Sequence, residues 1–184
     1  MATVIALLRG VNIGGHHKLP MASLRELCES IDLTGVRTHL QSGNAVFRTR
    51  ERNLARLAER LEGAIEERFG FRPAVILRTE AELRAAIARS PFAARRDLDP
   101  SRLVVSFFAA QPAPEALERA LAIPTDPEEL HIDGREAFIY FPNGFSKAKM
   151  SWPAIERALR TPATNRNWNT VTALLELAAA DAGD

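Results

Sequence analysis

Residues 36–49 read VRTHLQSGNAVFRT, with the turn-favouring pair Ser42-Gly43 between two short runs that contain apolar residues. We predict one strand from Val36 to Gln41 and a second from Asn44 to Thr49, joined by a two-residue hairpin turn. The segments on either side of this hairpin determine the kind of sheet to which it belongs.

A strand and a helix precede the hairpin, and a helix and a strand follow it. The apolar run over 2–9 predicts a buried strand, and Pro20 suits the first turn of the helix that comes next. The apolar stripe of that helix consists of Met21, Leu24, Leu27, Cys28 and Ile31. A second amphipathic helix is predicted over 54–69 and a strand over 71–77. The order β-α-β-β-α-β predicts a ferredoxin-like unit, whose four-stranded antiparallel sheet carries both helices on one face.

The second half of the chain repeats this order without visible sequence repetition. After an extra helix over 80–89 and a proline-bounded charged stretch over 91–100, the pattern predicts a new set of elements. These are a strand over 103–109, a helix over 114–121, strands over 130–132 and 137–141 around Asp133-Gly134, a helix from Ser151 or Trp152, and a last helix carrying Val171, Leu174, Leu175 and Ala178. The fourth strand, over 161–166, is short, polar and a poor match to strand chemistry.

We therefore predict an α+β protein with two ferredoxin-like subdomains, the second less complete, and a C-terminal helix. The first subdomain occupies residues 1–78, a helix and linker occupy 79–100, and the second subdomain with the last helix occupies 101–184.

The composition is that of an ordinary globular protein. The chain has 184 residues, 46% hydrophobic and 26% charged, with a formal net charge of +1, so nothing global attracts nucleic acid or a membrane. The one cysteine, Cys28, cannot form an internal disulfide, and no Cys/His metal spacing is present. The opening apolar run is too short to cross a membrane and lacks the features of a secretory signal, so a cytoplasmic location is expected.

Two loops concentrate the polar character of the chain, one over 9–18 and the other over 145–151. They hold all three lysines of the protein, Lys18, Lys147 and Lys149. An ammonium group beside backbone amides freed by glycine suits an anionic ligand, and both loops lead into predicted helices. Two alternatives stay open: a long turn whose glycines serve only its geometry, and a solvated loop before a helix capped by Ser151.

The amino-acid sequences of these loops and of the hairpin resemble those of a known family, and this resemblance is more specific than any general motif. ALLRGVNIGG over 6–15, KLPM over 18–21, QSGNAVF over 41–47, Ser146-Lys147 and NRNWNTV over 165–171 are similar to the bacterial family catalogued as domain of unknown function 1697. The resemblance spans the whole chain and implies a cytosolic protein of two ferredoxin-like units without an established activity. This chain carries His16-His17 where the family commonly has one further polar or basic residue.

The positions that match the polar motifs of the family are the candidate ligand-binding residues. They are Arg9, Asn12, Gly14, Gly15, Lys18, Gln41, Ser42, Asn44, Ser146, Lys147, Arg166, Asn167, Trp168 and Asn169. A structural interpretation stays open for several of them, because Gln41 to Asn44 favour turns, and Asn167 or Asn169 is suited to cap the last helix.

The sequence holds no recognisable catalytic set, and no cofactor or metal site is predicted. The hypothesis we favour is a binding module for a phosphate-bearing or other anionic small ligand. One alternative is single-stranded nucleic-acid binding through the basic loops and the sheet aromatics Phe138 and Tyr140, although burial between the subdomains also explains these two residues. The other alternative is an unrecognised enzyme; no membrane partner is expected, and the oligomeric state is left open.

Overall fold

The computed structural model describes residues 1–180. It divides into two compact units, the first formed by Met1–Ala85 with the chain from Ala173 onward, and the second by Ala86–Thr172. Each is described in turn.

Unit 1 is a ferredoxin-like unit. Its elements are β1 (Ala2–Leu8), α1 (Met21–Ser30), β2 (Thr34–Thr38), β3 (Asn44–Thr49), α2 (Leu54–Phe69), β4 (Val75–Thr79) and the start of α3 (Glu80–Arg89). The strands form one antiparallel sheet in the order β2-β3-β1-β4. Its core joins both helices to one face of the sheet, with Leu24 and Leu57 among the buried residues that pack with Val4 and Phe47. The predicted pattern is therefore confirmed for this half of the chain.

Two strands of unit 1 begin or end away from their predicted positions, and polar residues explain both differences. β2 ends at Thr38 rather than Gln41 because Leu40 adopts φ +60 and the Asn44 amide donates to the carbonyl of His39. The hairpin loop is therefore five residues long, not two. β4 begins at Val75 rather than residue 71, since the preceding Pro73 has no N–H for a sheet ladder.

Unit 2 repeats the architecture. Its elements are the end of α3, β5 (Leu103–Phe108), α4 (Pro114–Leu121), β6 (Glu129–Asp133), β7 (Glu136–Tyr140), α5 (Trp152–Leu159), β8 (Ala163–Asn167) and the first residues of α6 (Trp168–Ala180). The antiparallel sheet has the order β6-β7-β5-β8. Ile155 and Leu159 pack with Val104, Phe108 and Ile139, which places the helices on one face again.

The doubtful fourth strand of unit 2 is present as β8, in register along β5 from Phe108↔Ala163 to Val104↔Asn167. Pairing with a central strand thus outweighs its poor intrinsic propensity. The β6–β7 turn is Gly134-Arg135, one residue later than predicted, because Asp133 pairs with Glu136 as the last rung of the ladder. Within residues 1–180, no helix combines the length and the apolar character needed to cross a membrane.

Candidate functional site

Three loops of unit 1 meet at one edge of its sheet. β3 runs antiparallel to β1 with Leu7 opposite Asn44, so the loop after β1 and the loop before β3 lie side by side. The backbone N–H of Leu8 donates to the carbonyl of Gly43 at 2.8 Å, and that of Arg9 to Ala74 at 2.9 Å. We call residues 9–20, 39–43 and 70–74 the unit 1 loop edge.

Asn12 fixes the first of these loops. Its side-chain amide donates to the carbonyls of Leu19 at 2.9 Å and Gln41 at 2.7 Å, and its oxygen accepts from the N–H of Leu19 at 2.8 Å. Asn12 adopts φ +55, a conformation that asparagine tolerates better than most residues. The side chain thus closes its own loop and joins it to the neighbouring one, so it positions the backbone and has little capacity left for a ligand.

The tip of the same loop is a small exposed turn. Ile13 and His16 form an isolated antiparallel bridge, and Gly14 and Gly15 between them have φ +57 and +80. A Cβ on either glycine would meet nothing closer than 4.0 Å. The glycines are thus required by the backbone conformation and not by close packing, and their amides lie at an exposed position.

The loop before β3 is held by packing and by a buried amide. A Cβ on Gly43, where φ is +81, would lie 2.5 Å from Cγ2 of Val11 and 2.9 Å from Cβ of Leu8. Asn44 is fully buried and donates to the carbonyl of His39 and to the hydroxyl of Ser42. Turn chemistry therefore accounts for Ser42, Gly43 and Asn44, while the Gln41 side chain is exposed.

The cations of this edge are exposed at its surface. Lys18 and Arg9 are both exposed, and the Lys18 ammonium has no ion-pair or hydrogen-bond partner among residues 1–180. His17 is stacked on Phe71 with ring centroids 4.6 Å apart, and its Nδ1 lies 3.2 Å from the carbonyl oxygen of Gly10. In the described part of the chain, no group of three or more His, Cys, Asp or Glu residues is placed to hold a metal ion.

The second set of predicted residues meets at one edge of the unit 2 sheet. In the register of the sheet, Tyr140 at the end of β7 lies opposite both Leu103 and Glu129, and Asn167 at the end of β8 lies opposite Val104. The loop 141–151 therefore starts at the edge where β8 ends. We call residues 141–151 with 167–169 the unit 2 loop edge.

Glu128, which the sequence analysis did not single out, holds the lysine loop of unit 2. Its side chain is 3% exposed, and Oε2 accepts from the backbone N–H groups of Lys149 at 3.1 Å and Met150 at 2.8 Å. Oε1 is buried with no hydrogen-bond partner among the described residues. No sequence signal marks this contact, which joins a turn residue to backbone atoms 21 and 22 positions later.

Ser146 and Lys147 lie on a 3₁₀ turn, Phe145–Lys147, with both side chains exposed. Neither side chain has a hydrogen-bond partner within residues 1–180, and the same holds for the ammonium of Lys149. Ser151 occupies the N-cap position of α5, but its hydroxyl makes no capping hydrogen bond. The predicted cap at Ser151 is therefore wrong in its chemistry although right in its position.

The polar string at the end of β8 has mainly structural contacts. Asn167 accepts from the N–H of Asn169 at 2.9 Å, which caps α6 as predicted, and its amide donates to the carbonyl of Ser101 at 2.7 Å. Trp168 is half-buried. Arg166 is 7% exposed, and its guanidinium donates to the Thr164 hydroxyl and to the carbonyl of Asn165. Burial lowers the pKa of Arg166 to about 10.

The aromatic residues of β7 are buried. Phe138 is fully buried beside the ring of His131, and Tyr140 is 8% exposed beside Phe92. Neither ring has a free face on which a base could stack. Of the two interpretations of these residues, burial is the one that their surroundings favour.

The predicted site residues thus form two groups, each gathered at one sheet edge of its own unit. The unit 1 group contains Arg9, Asn12, Gly14, Gly15, Lys18, Gln41, Ser42 and Asn44, and the unit 2 group contains Ser146, Lys147, Asn167, Trp168 and Asn169. Arg166 is on β8 but buried in the sheet.

Three clefts lie apart from both loop edges. Two adjoining clefts of unit 1, of about 580 and 610 Å³, share Met1, Thr49, Arg50 and Glu51 at the opposite edge of the sheet. A third, of about 550 Å³, lies in unit 2 between the segment 109–116 and the end of α5. None of the residues predicted from the sequence to bind a ligand lines these clefts.

The architecture defines the class: an α+β protein made of two ferredoxin-like units. The family described as "Protein of unknown function (DUF1697)" has a model that matches residues 1–138, so the chain belongs to that family. The resemblance drawn from the loop motifs is confirmed.

A solved structure has the same architecture over almost its whole length. The conserved bacterial protein SP0830 from Streptococcus pneumoniae superposes with a TM-score of 0.74 at 22% sequence identity, covering 96% of this chain and 98% of the other. At that identity the likeness concerns the fold alone. Among curated proteins, no relative matches this chain.

Proposed function

We propose that this protein is a binding module for a small phosphate-bearing or otherwise anionic ligand, held at the lysine loops. The observation that carries the proposal is a contrast within each loop. The backbone is fixed by a polar side chain, Asn12 in unit 1 and Glu128 in unit 2, while the lysines are exposed without partners among residues 1–180.

Fixed loops favour binding because little conformational entropy remains to be lost when the ligand arrives. Several arginines have their charge neutralised within the chain, as in the ion pairs of Arg68 with Glu26, Arg89 with Asp133 and Arg95 with Glu129. The lysine ammonium groups have no such partner and keep their attraction for an external anion.

In the proposed binding mode, Lys18 and Arg9 supply charge in unit 1, and the amides of Gly14 and Gly15 supply hydrogen-bond donors. The corresponding groups in unit 2 are Lys147 and the hydroxyl of Ser146. The supporting residues, Asn12, Asn44 and Asn167, act by holding the backbone. Arg166 is left out of direct contact because it is buried.

The test is calorimetric titration of the intact protein with inorganic phosphate, adenosine monophosphate and acetate at one ionic strength. We expect dissociation constants on the order of millimolar, and about fivefold weaker binding in Lys18→Gln or Lys147→Gln. Arg25→Gln and Arg119→Gln are matched controls, since each removes from a helix of the same unit one exposed positive charge that has no partner among residues 1–180.

Two results would contradict the proposal. One is the absence of saturable binding by any of the three anions. The other is binding that weakens equally in the lysine variants and in the arginine controls, because that would indicate attraction by net charge without a site.

A further inference from the structure

Two large aliphatic side chains are exposed at the unit 1 loop edge. Ile13 is 65% exposed and Leu40 is 56% exposed. Ile13 follows Asn12 in the chain, and Leu40 precedes Gln41. The Asn12 side-chain amide donates to the carbonyl of Gln41, which brings the two loops together. A single exposed aliphatic residue is ordinary on a protein surface, but two on adjoining loops mark a local apolar surface.

Neither residue lies in a loosely held segment. Ile13 is paired with His16 across the glycine turn, and Leu40 is held at φ +60 between β2 and the Gln41 carbonyl that Asn12 binds. A leucine in the left-handed region is strained by about 1 kcal/mol. The fold thus keeps an apolar side chain in water at an unfavourable backbone conformation, which is the kind of strain that accompanies ligand sites.

The surroundings of this apolar pair are positively charged. The three segments of the unit 1 loop edge contain no aspartate or glutamate, although 23 of the 184 residues are acidic. They contain Arg9, Lys18 and three histidines. Arg72 on the same edge is paired with Glu62 and Glu66. The Lys18 ammonium has no partner among residues 1–180 and is therefore the positive charge available to a ligand, on the same loop as Ile13.

We infer that the ligand of the unit 1 loop edge is an amphipathic anion, whose acidic group lies beside Lys18 and whose apolar chain covers Ile13 and Leu40. This inference rests on the proposed function, which supplies the anion, and it adds the apolar body. A free inorganic anion would satisfy the lysine and leave both aliphatic side chains in water, whereas an alkyl acid satisfies both features.

The test is a titration of the whole protein with acetate, hexanoate and octanoate at one ionic strength, followed by calorimetry and by amide chemical shifts of residues 13–18 and 39–41. Burial of about two methylene groups against the aliphatic pair strengthens binding about tenfold. Octanoate is therefore expected to bind about tenfold more tightly than acetate, with shifts confined to these loops.

Variants of the protein test the apolar chain and the acidic group of the ligand separately. Ile13→Thr keeps a β-branched side chain and Leu40→Asn suits positive φ, so the double variant is expected to fold. It should bind octanoate no more tightly than acetate. Lys18→Gln should weaken both acids, and Leu121→Ser, which removes an exposed leucine of unit 2, should change neither.

Equal affinity for acetate and octanoate, with both dependent on Lys18, would overturn this inference and leave the proposed function standing. A preference for octanoate that survives the double variant would also overturn it. If no acid and no phosphate bound at the edge, the proposed function itself would fail there, and the inference with it.

Discussion

Replacing Asn12 by alanine removes the side chain that joins two loops of the unit 1 edge. Three hydrogen bonds of 2.7 to 2.9 Å are lost, each contributing about 1 kcal/mol. Alanine at φ +55 adds about 1 kcal/mol of strain. We therefore expect Asn12→Ala to lower the free energy of unfolding by about 4 kcal/mol, and Asn12→Gly, which tolerates that φ, to cost about 1 kcal/mol less.

Urea denaturation measures the loss of stability, and amide hydrogen exchange localises it. The N–H of Leu19 donates to the Asn12 side chain, so its protection should fall sharply in the variant. The matched control is Asn169→Ala, which replaces an exposed asparagine whose side chain has no hydrogen-bond partner among residues 1–180, with an expected change within about 0.5 kcal/mol. Unchanged protection of Leu19 together with near-normal stability would refute the role given to Asn12.

Three further predictions concern Gly43 at the unit 1 loop edge, Glu128 beside the unit 2 loop edge, and Cys28 in the core of unit 1. Gly43→Ala places a Cβ 2.5 Å from the Val11 side chain at φ +81 and should lower the free energy of unfolding by about 3 kcal/mol. Gly14→Ala lies in open space at φ +57 and should lower it by about 1 kcal/mol. Equal losses in urea denaturation would contradict this difference. Glu128→Ala should lower the free energy of unfolding by about 3 kcal/mol, because two backbone N–H groups lose their carboxylate acceptor. Glu128→Gln keeps an acceptor oxygen and should lower it by at most half as much. In urea denaturation, a larger loss in Glu128→Gln than in Glu128→Ala would be inconsistent with this contact. Burial raises the pKa of the Cys28 thiol to about 12 from about 9. As the pH rises, the thiol therefore ionises in the unfolded protein before it does so in the folded protein. The contribution of the buried neutral thiol to the free energy of unfolding is complete below pH 9 and is lost as the pH rises towards 12. The native protein should thus resist thiol labelling at pH 8 until it is denatured, and rapid labelling of the native state would disprove the burial.

The order of elements was predictable because it depends on local pattern. The apolar stripes of α1 and α2 have helical spacing, and α2, α3 and α4 begin and end where proline, glycine and charge signals predict. The ends of β2 and β4 were predicted less accurately. The end of β2 depends on the hydrogen bond from the Asn44 amide, and the start of β4 depends on Pro73, which has no N–H to donate. Alternation of apolar and polar residues reveals neither effect.

The sequence indicated which candidate residues gather at the two loop edges, but not which groups their side chains contact. Asn12 and Arg166 both suggest ligand contact by residue type. The register of β8 places Arg166 opposite the buried Val105, and the bonds of Asn12 are directed into its own loops. Glu128 was missed because its partners are backbone atoms far along the chain. The type of a residue indicates which bonds its side chain can make, whereas the pairing of the strands determines whether that side chain is buried and where it points.

Anion binding at the two lysine loops is best tested by an amide-resolved NMR titration of the intact protein with inorganic phosphate at constant ionic strength. We expect saturable shifts at residues 13–18 and 145–149 that are lost selectively in Lys18→Gln and Lys147→Gln, respectively. Shifts that are scattered over the surface, that grow without saturation, or that persist in both variants would contradict this expectation.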